Sequence, residues 1–357
     1  MKIILFKNVN LLLFIILFVI FQVFFTNFYT NAKNISRQKK SNSNISTIDN
    51  NSLEKRWSFK SVQLKYDKRN KILDIRTNVT NKNSSLKYNF YWRETLKNRS
   101  GKINNPCNLS DIKWLIPEYG NYIISVEVSD NSNIKKKIDK SIGVIDQSIC
   151  IQGVDVSCWQ RQIDWDKVKD NSKIKFAMIR TGFGRNEPKQ KDSWFDINYE
   201  NAKKANIDVG AYHYSYAKTV QDALNEAEFC LSIINNRQLE YPVVFDIEDP
   251  SQYKVNRRTL TNICKAFCER IRQAGYMPMI YSNKRFIENY LYSKELFPKY
   301  DLWFSNWNSY PCLHCQMWQY TDKGRIKGIN NGVKIVDLNY CYKDYPKYIK
   351  EHHLNKY

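Results

Sequence analysis

The stretch Pro242-Val-Val-Phe-Asp246-Ile-Glu248-Asp-Pro250 decides how the chain folds. Its apolar run is too short for a helix and ends before a proline, so it reads as a buried strand. Side chains alternate along a strand, which puts Val243, Phe245 and Ile247 on one face. Asp246 and Glu248 share the other, with Cα atoms ~6–7 Å apart. A strand covered on both faces does not carry two acids unless something uses them. They stand at its C-terminal end, where parallel barrels place their active sites.

Strand and helix signals alternate on both sides of this stretch, from Ile151 onward. Ile174–Arg180, Val209–Tyr216 and Met277–Tyr281 are short, apolar and rich in β-branched or aromatic residues. Between the strands lie helical patterns: Ala223, Ala227, Cys230, Leu231 and Ile234, then Leu260, Ile263, Cys264, Phe267 and Ile271. Such alternation predicts an α/β fold with a parallel sheet closed or covered by helices. Leu302–Trp307, Gln316–Tyr320 and Val333–Tyr340 then read as strands with no helices between them. The region is shorter than the ~250 residues of a full eightfold barrel. The expectation is therefore a shortened, irregular (β/α) barrel of the TIM type.

Two more acids repeat the geometry. In Gly153-Val-Asp155-Val-Ser157 the valines face outward and Asp155 inward; in Val333-Lys-Ile-Val-Asp337-Leu-Asn339, Asp337 shares a face with Val333 and Ile335. Four acids from three strand ends converge on one mouth. Clustered oxygen ligands also suit hard cations, but paired carboxylates among aromatic rings fit glycoside hydrolysis better, in which one acid protonates the leaving oxygen. Tyr212, Tyr214, Tyr281, Trp303, Trp307, Trp318 and Tyr320 lie in or beside strands and are the rings on which sugar faces could stack.

The motifs resemble those of glycoside hydrolase family 25, the lysozyme-type muramidases. They are Gly153-Val-Asp155-Val-Ser157-x-Trp159-Gln160, Ile163-Asp164-Trp165, Phe176-Ala-Met-Ile-Arg180-x-Gly182, Phe195-x-x-Asn198, Val209-Gly-Ala-Tyr212-His213-Tyr214, Asp246-x-Glu248, Leu302-Trp303, and Trp318-Gln319-Tyr320 followed by Val336-Asp337-x-Asn339. The resemblance implies an irregular barrel and cleavage of the β-1,4 bond between N-acetylmuramic acid and N-acetylglucosamine. It implies Glu248 as general acid and Asp246 as the carboxylate facing the substrate's N-acetyl group. Asp155 and Asp337 match the other two acids of the site. Tyr212, Tyr214, Tyr281, Trp303, Trp318, Tyr320 and Arg180 are the expected substrate-binding residues. Arg180-Thr-Gly182-Phe-Gly184 stands where some members carry a Glu, and Ser305 where Ala is common.

The rest of the chain divides by composition. Residues 1–32 hold Lys2 and Lys7 before an apolar run, Leu11 to Phe25 broken at Gln22, the layout of a secretory signal or an N-terminal membrane anchor. Residues 33–55 are rich in Asn, Ser and Lys and read as a disordered linker. Residues 56–147 alternate apolar and polar between turn signals and predict a small all-β sandwich. Within it Trp114-Leu-Ile-Pro117-Glu-Tyr119-Gly120-Asn-Tyr122, continuing to Val126-x-Val128-x-Asp130, resembles the triple-tyrosine domain of bacterial extracellular proteins, which implies an accessory module without chemistry. The catalytic barrel is expected over 150–346.

Of 357 residues, 56 are Lys or Arg and 35 Asp or Glu, a net charge of +21. That excess suits an anionic partner. For an exported chain the partners are peptidoglycan and anionic wall polymers at the cell envelope rather than nucleic acid. One apolar run excludes a multi-span membrane protein, and nine cysteines in this length make no disulfide scaffold. Cys312-Leu-His314-Cys315 lacks the second pair a zinc site needs, so no metal is expected. No Gly-rich phosphate loop is present, and no cofactor is expected. A non-catalytic peptidoglycan-binding or adhesion protein on the same barrel is the alternative, but a pure binder has no need of Asp246 and Glu248 together.

Overall fold

The computed structural model describes residues 57–80, 86–95, 97–104, 107–132, 134–185, 187–307, 310–330 and 332–357. The expected signal or anchor (1–32) and the linker (33–55) lie outside the described residues. Among the described residues, no helix is long and apolar enough to cross a membrane.

The first seven strands are β1 (Ser58–Asp67), β2 (Ile72–Thr80), β3 (Lys87–Glu94), β4 (Arg99–Lys102), β5 (Asp111–Leu115), β6 (Gly120–Ser129) and β7 (Lys135–Val144). They form two antiparallel sheets, ordered β1-β2-β5 and β4-β3-β6-β7. Alternate residues are buried, among them Val62, Leu73, Ile75, Phe90, Ile124 and Val126. Trp92 and Trp114 stack on each other at 5.7 Å, with Tyr122 edge-on to both.

The remaining strands are β8 (Ile151–Val156), β9 (Ile174–Phe183), β10 (Asp208–Tyr214), β11 (Val243–Asp246), β12 (Pro278–Asn283), β13 (Asp301–Ser305), β14 (Met317–Gly324) and β15 (Val336–Cys341). They close into a barrel in the order β10-β11-β12-β13-β14-β15-β8-β9. Six pairings are parallel, but β15 runs antiparallel to both β14 and β8. The all-parallel pattern of a TIM barrel is thus broken at the closure. Antiparallel neighbours need no crossover helix, which is how eight strands fit a chain this short.

The helix Val220–Ile234 starts on a capping box at Thr219 and Asp222, and Arg257–Gln273 starts on the Asn256 side chain. Their apolar stripes, including Ala223, Ala227, Leu260, Ile263 and Phe267, pack with Val243, Phe245 and Ile247 in the outer core. A separate inner core of Phe176, Met178, Val244, Tyr281, Trp303 and Met317 fills the barrel. Gly153 admits it: a Cβ there would meet the Phe176 ring at 2.3 Å.

Two further contacts position the barrel. Segment Pro311–Cys315 docks on the sandwich, where the Gly143 N–H donates to Pro311 O at 3.2 Å and His314 Nδ1 lies 3.2 Å from Val144 O. Cys312-x-His314-Cys315 is therefore a docking loop. At the N-terminal end of the parallel strands, the chain's tail forms a floor. Asn355, fully buried, donates to Leu239 O and Tyr241 O at 3.1 and 2.8 Å and accepts from the Met277 N–H at 2.6 Å.

Candidate active site

The opposite end of the barrel gathers the acids. Asp155 is the penultimate residue of β8, Asp246 the last of β11, and Asp337, on β15, pairs in register with Asp155. β11 ends at Asp246, and Glu248 follows two residues later, beyond an Ile247 N–H that still donates to Tyr281 O at 3.1 Å. Val154 and Val156 lie in the outer core with Val243, Phe245 and Ile247, so the alternation expected from sequence holds on both strands.

Amides tie the acids together. Gln319 Nε2 donates to Asp155 Oδ2 and to Asp337 Oδ2, both at 3.1 Å, while its Oε1 accepts from the Tyr281 hydroxyl at 2.9 Å and Trp307 Nε1 at 3.1 Å. Asn339 Nδ2 donates to Asp155 Oδ2 at 2.7 Å and is itself held by Trp303 Nε1, which donates to Asn339 Oδ1 at 2.8 Å. Asn283 Nδ2 donates to Glu248 Oε2 at 2.8 Å. Asp246 differs: it is 6% exposed, and its Oδ1 has no hydrogen-bond partner.

Every one of the four carboxyls is pushed above its ordinary range, chiefly by burial. Hydrogen bonds from Asn339 and Gln319 pull Asp155 back, whereas the Asp155 charge pushes Asp337 further up. Asp246 is raised well above the usual carboxylate range, by burial and then by the charges of Glu248 and Asp155. Glu248 is raised by burial and by Asp155 and Asp249, and is drawn down by Asn283. The charge of Glu248 thus adds to burial in favouring the protonated form of Asp246.

Arg180 on β9 is the cation facing these acids. Its Nε donates to Asp192 Oδ2 at 2.9 Å, and Asp192, 2% exposed, also accepts from the Cys158 and Trp194 N–H groups at 2.8 and 2.9 Å. Arg180, Tyr212, Asp155 and Asp337 line a cleft of about 360 Å³ whose walls include Trp159, Trp307, Val333 and Ile335. Trp159 and Trp307 are 65% and 43% exposed, free to offer a ring face.

The aromatic residues divide. Tyr212 lines the cleft, and the Tyr214 hydroxyl donates to Asp249 Oδ2 at 2.9 Å. Tyr281 and Trp303 lie beneath it, 6% and 1% exposed, where they hold Gln319 and Asn339 rather than present a face. Trp318 and Tyr320 flank Gln319 on β14; because Gln319 points inward, they point outward, and Tyr320 stacks on Tyr340 at 4.4 Å. Those two rings stand away from the cleft. His213 is fully buried between the Thr181 hydroxyl and Gly184 O, its pKa lowered to about 4 by burial, and it takes no part in the site.

Sequence reasoning assigns no role to Gln319, Asn339, Asn283, Asp192 or Trp159. A signal existed for two of them. Gln319 and Asn339 are polar residues inside otherwise buried strands, the same anomaly that singles out Asp246.

Comparison with known proteins identifies the family. The sequence profile described as glycosyl hydrolases family 25 matches residues 154–329. Lysozyme M1 of Streptomyces globisporus is 30% identical over 212 residues, covering 55% of this chain and 69% of that protein. The chain belongs to glycosyl hydrolase family 25. Another relative, the uncharacterized protein YegX of Escherichia coli strain K12, is 28% identical over 204 residues, covering 55% of this chain and 72% of that one. A solved family 25 glycosyl hydrolase from Bacillus anthracis aligns with a TM-score of 0.48 at 25% identity, over 56% of this chain and 92% of that one. As a family 25 member the protein is a glycoside hydrolase. Among the described residues no group of three or more His, Cys, Asp or Glu side chains is placed to hold a metal ion.

Proposed function

We propose that this family 25 enzyme hydrolyses the β-1,4 bond between N-acetylmuramic acid and N-acetylglucosamine in peptidoglycan, with Glu248 as the general acid. The observation that carries the reading is the pairing of half-buried Glu248 with buried Asp246, two carboxyls of raised pKa at the end of one strand. Glu248, kept protonated by burial, gives its proton to the glycosidic oxygen as the C1–O bond breaks. Positive charge then develops on the sugar ring, and Asp155 and Asp337 stand near enough to Glu248 to share its electrostatics. The unpartnered Oδ1 of Asp246 suits the N–H of the sugar's acetamido group, a donor that burial would otherwise leave unmatched. Water completes the reaction: its hydroxyl ends on C1 and its proton restores Glu248. Trp159 and Trp307 offer the ring faces for neighbouring sugars.

The name of Lysozyme M1 supports the same substrate. Peptidoglycan lies outside the cytoplasmic membrane, so the reading requires export to the envelope. The charged-then-apolar start of the sequence supplies that pattern, whether as a cleaved signal or as an anchor. The net charge of +21 favours encounter with anionic wall polymers. Digestion of purified peptidoglycan, borohydride reduction and mass spectrometry of the fragments tests the bond. Reduced N-acetylmuramic acid at the new ends is expected. Reduced N-acetylglucosamine, or no new ends, would overturn the assignment.

A further inference from the structure

We propose that a second cavity on the barrel rim binds the ammonium group of a peptide branch carried by the glycan, an inference that rests on the peptidoglycan reading. The cavity measures about 240 Å³ and has Glu226 in its lining. Glu226 is 1% exposed, and the geometry shows two different uses for its two oxygens. Oε1 accepts from the Tyr216 N–H at 2.9 Å, which fixes the turn after β10. Oε2 is buried and makes no direct hydrogen bond, with the Ser215 hydroxyl and the Ala217 N–H near enough to draw the carboxyl's pKa partly back.

Holding the turn does not require an acid. A glutamine would accept the same N–H without an ionisable group to desolvate. The second oxygen is what glutamate adds, and a buried acceptor without a donor is costly unless a ligand supplies one. The surrounding charge selects that donor. Glu187, Asp222 and Glu226 face the cavity against Arg185 and Lys218, and Arg185 is already paired with Asp222. With that pair cancelled, Glu187 and Glu226 face Lys218 alone, which leaves room for another positive charge. Burial pushes Glu226 up to about 7, and an ammonium beside it would hold it ionised at neutral pH.

Size and place fit a branch rather than the main glycan strand. The volume is below that of an ordinary small-molecule pocket and suits the end of an alkylammonium chain. The rim residue Tyr216 is 42% exposed and packs edge-on against Tyr214 at 5.3 Å, on the strand whose Tyr212 lines the catalytic cleft. A peptide leaving a sugar bound in that cleft would meet this cavity beyond the C-terminal end of β10.

The test compares the full chain with Glu226→Gln on soluble peptidoglycan fragments, either with free amines or after acetylation of those amines by acetic anhydride. For the wild-type chain, acetylation is expected to raise KM about tenfold, the loss of one charge-assisted contact, with kcat unchanged. Glu226→Gln is expected to show the higher KM on both substrates, with a melting temperature at pH 7 no lower than the wild type's because the Tyr216 contact survives and no ionisable group is left to desolvate. An equal effect of acetylation on both proteins, or on neither, would overturn the site. Calorimetry with an amine-bearing tetrapeptide and its acetylated form supplies a readout independent of turnover. Amine-dependent binding lost in Glu226→Gln upholds the cavity even if no glycan is cleaved, in which case the peptidoglycan reading alone has failed. Binding indifferent to acetylation counts against the cavity.

Discussion

The two ends of the barrel treat buried polar groups in opposite ways. At the floor, Asn355 spends its amide on three backbone groups of the β11 and β12 entrances. Beside it, Glu240 accepts from the Val209 N–H at 2.9 Å and from the Lys203 ammonium and Tyr357 hydroxyl. The Tyr241 hydroxyl, without a partner, is the floor's exception. At the mouth, four carboxyls crowd together, all raised in pKa, with Arg180 the cation in the cleft and Asp246 Oδ1 unmatched. The floor is satisfied and stabilises the fold. The mouth is frustrated, and such frustration persists where chemistry uses it.

The largest expected effect breaks the mouth alone. Glu248→Gln keeps the shape and a group for Asn283 but has no proton acidic enough for a leaving sugar oxygen. General acid catalysis contributes ~10²–10⁴-fold, so kcat on peptidoglycan should fall at least a hundredfold while the melting temperature holds. Near-normal turnover would move the acid's role to Asp155 or Asp337.

Asn355→Ala breaks the floor instead. It leaves two backbone carbonyls and one N–H short of partners, a destabilisation of about 3 kcal/mol from the usual cost of unsatisfied buried groups. Chemical denaturation should register this, while kcat per folded molecule stays within twofold. A loss of activity without a loss of stability would show that the two ends are coupled.

The contrast also predicts a pH dependence. Acids raised in the folded state bind protons more tightly there than in the unfolded chain. Their contribution is therefore fully present below the unfolded pKa and is lost as pH rises through the folded values. From near 3.8 up to about 8, the value reached at Asp337, the melting temperature should decline by a few degrees from this source. Asp337→Asn should flatten the decline. An identical slope in the variant would contradict the assignment.

Sequence made part of this legible. The spacing of Asp246 and Glu248 placed both acids on the inner face because strand period is local, and Val243, Phe245 and Ile247 do face the helices. The expectation that Trp318 and Tyr320 bind substrate rested on their being aromatic residues in a strand, which does not fix the face they take. In a barrel covered on both faces, apolar rings suit either side, and only the inward pull on Gln319 from Asp155 and Asp337 settles which. The amide network escaped for a different reason: Gln319 and Asn339 meet Asp155 from more than 160 residues away, across strands whose antiparallel closure no local pattern announces. The difference between the paired acids also escaped, because burial is not local in sequence: Asp246 is deeply buried with Oδ1 unpartnered, whereas Glu248 is bound by Asn283.

The most direct test of the contrast is the melting temperature of Asp246→Asn beside the wild-type chain from pH 4 to pH 8, with activity measured in parallel. Burial disfavours the ionised form of Asp246 in the native chain relative to the unfolded one, whose value lies near 3.8, a cost the amide removes. The account predicts that Asp246→Asn loses most of its activity yet melts higher than the wild type at pH 7, with the gain shrinking toward zero at pH 4. A variant that melts lower at pH 7 as it loses activity would contradict the account, because Asp246 would then be holding the barrel together rather than serving its chemistry.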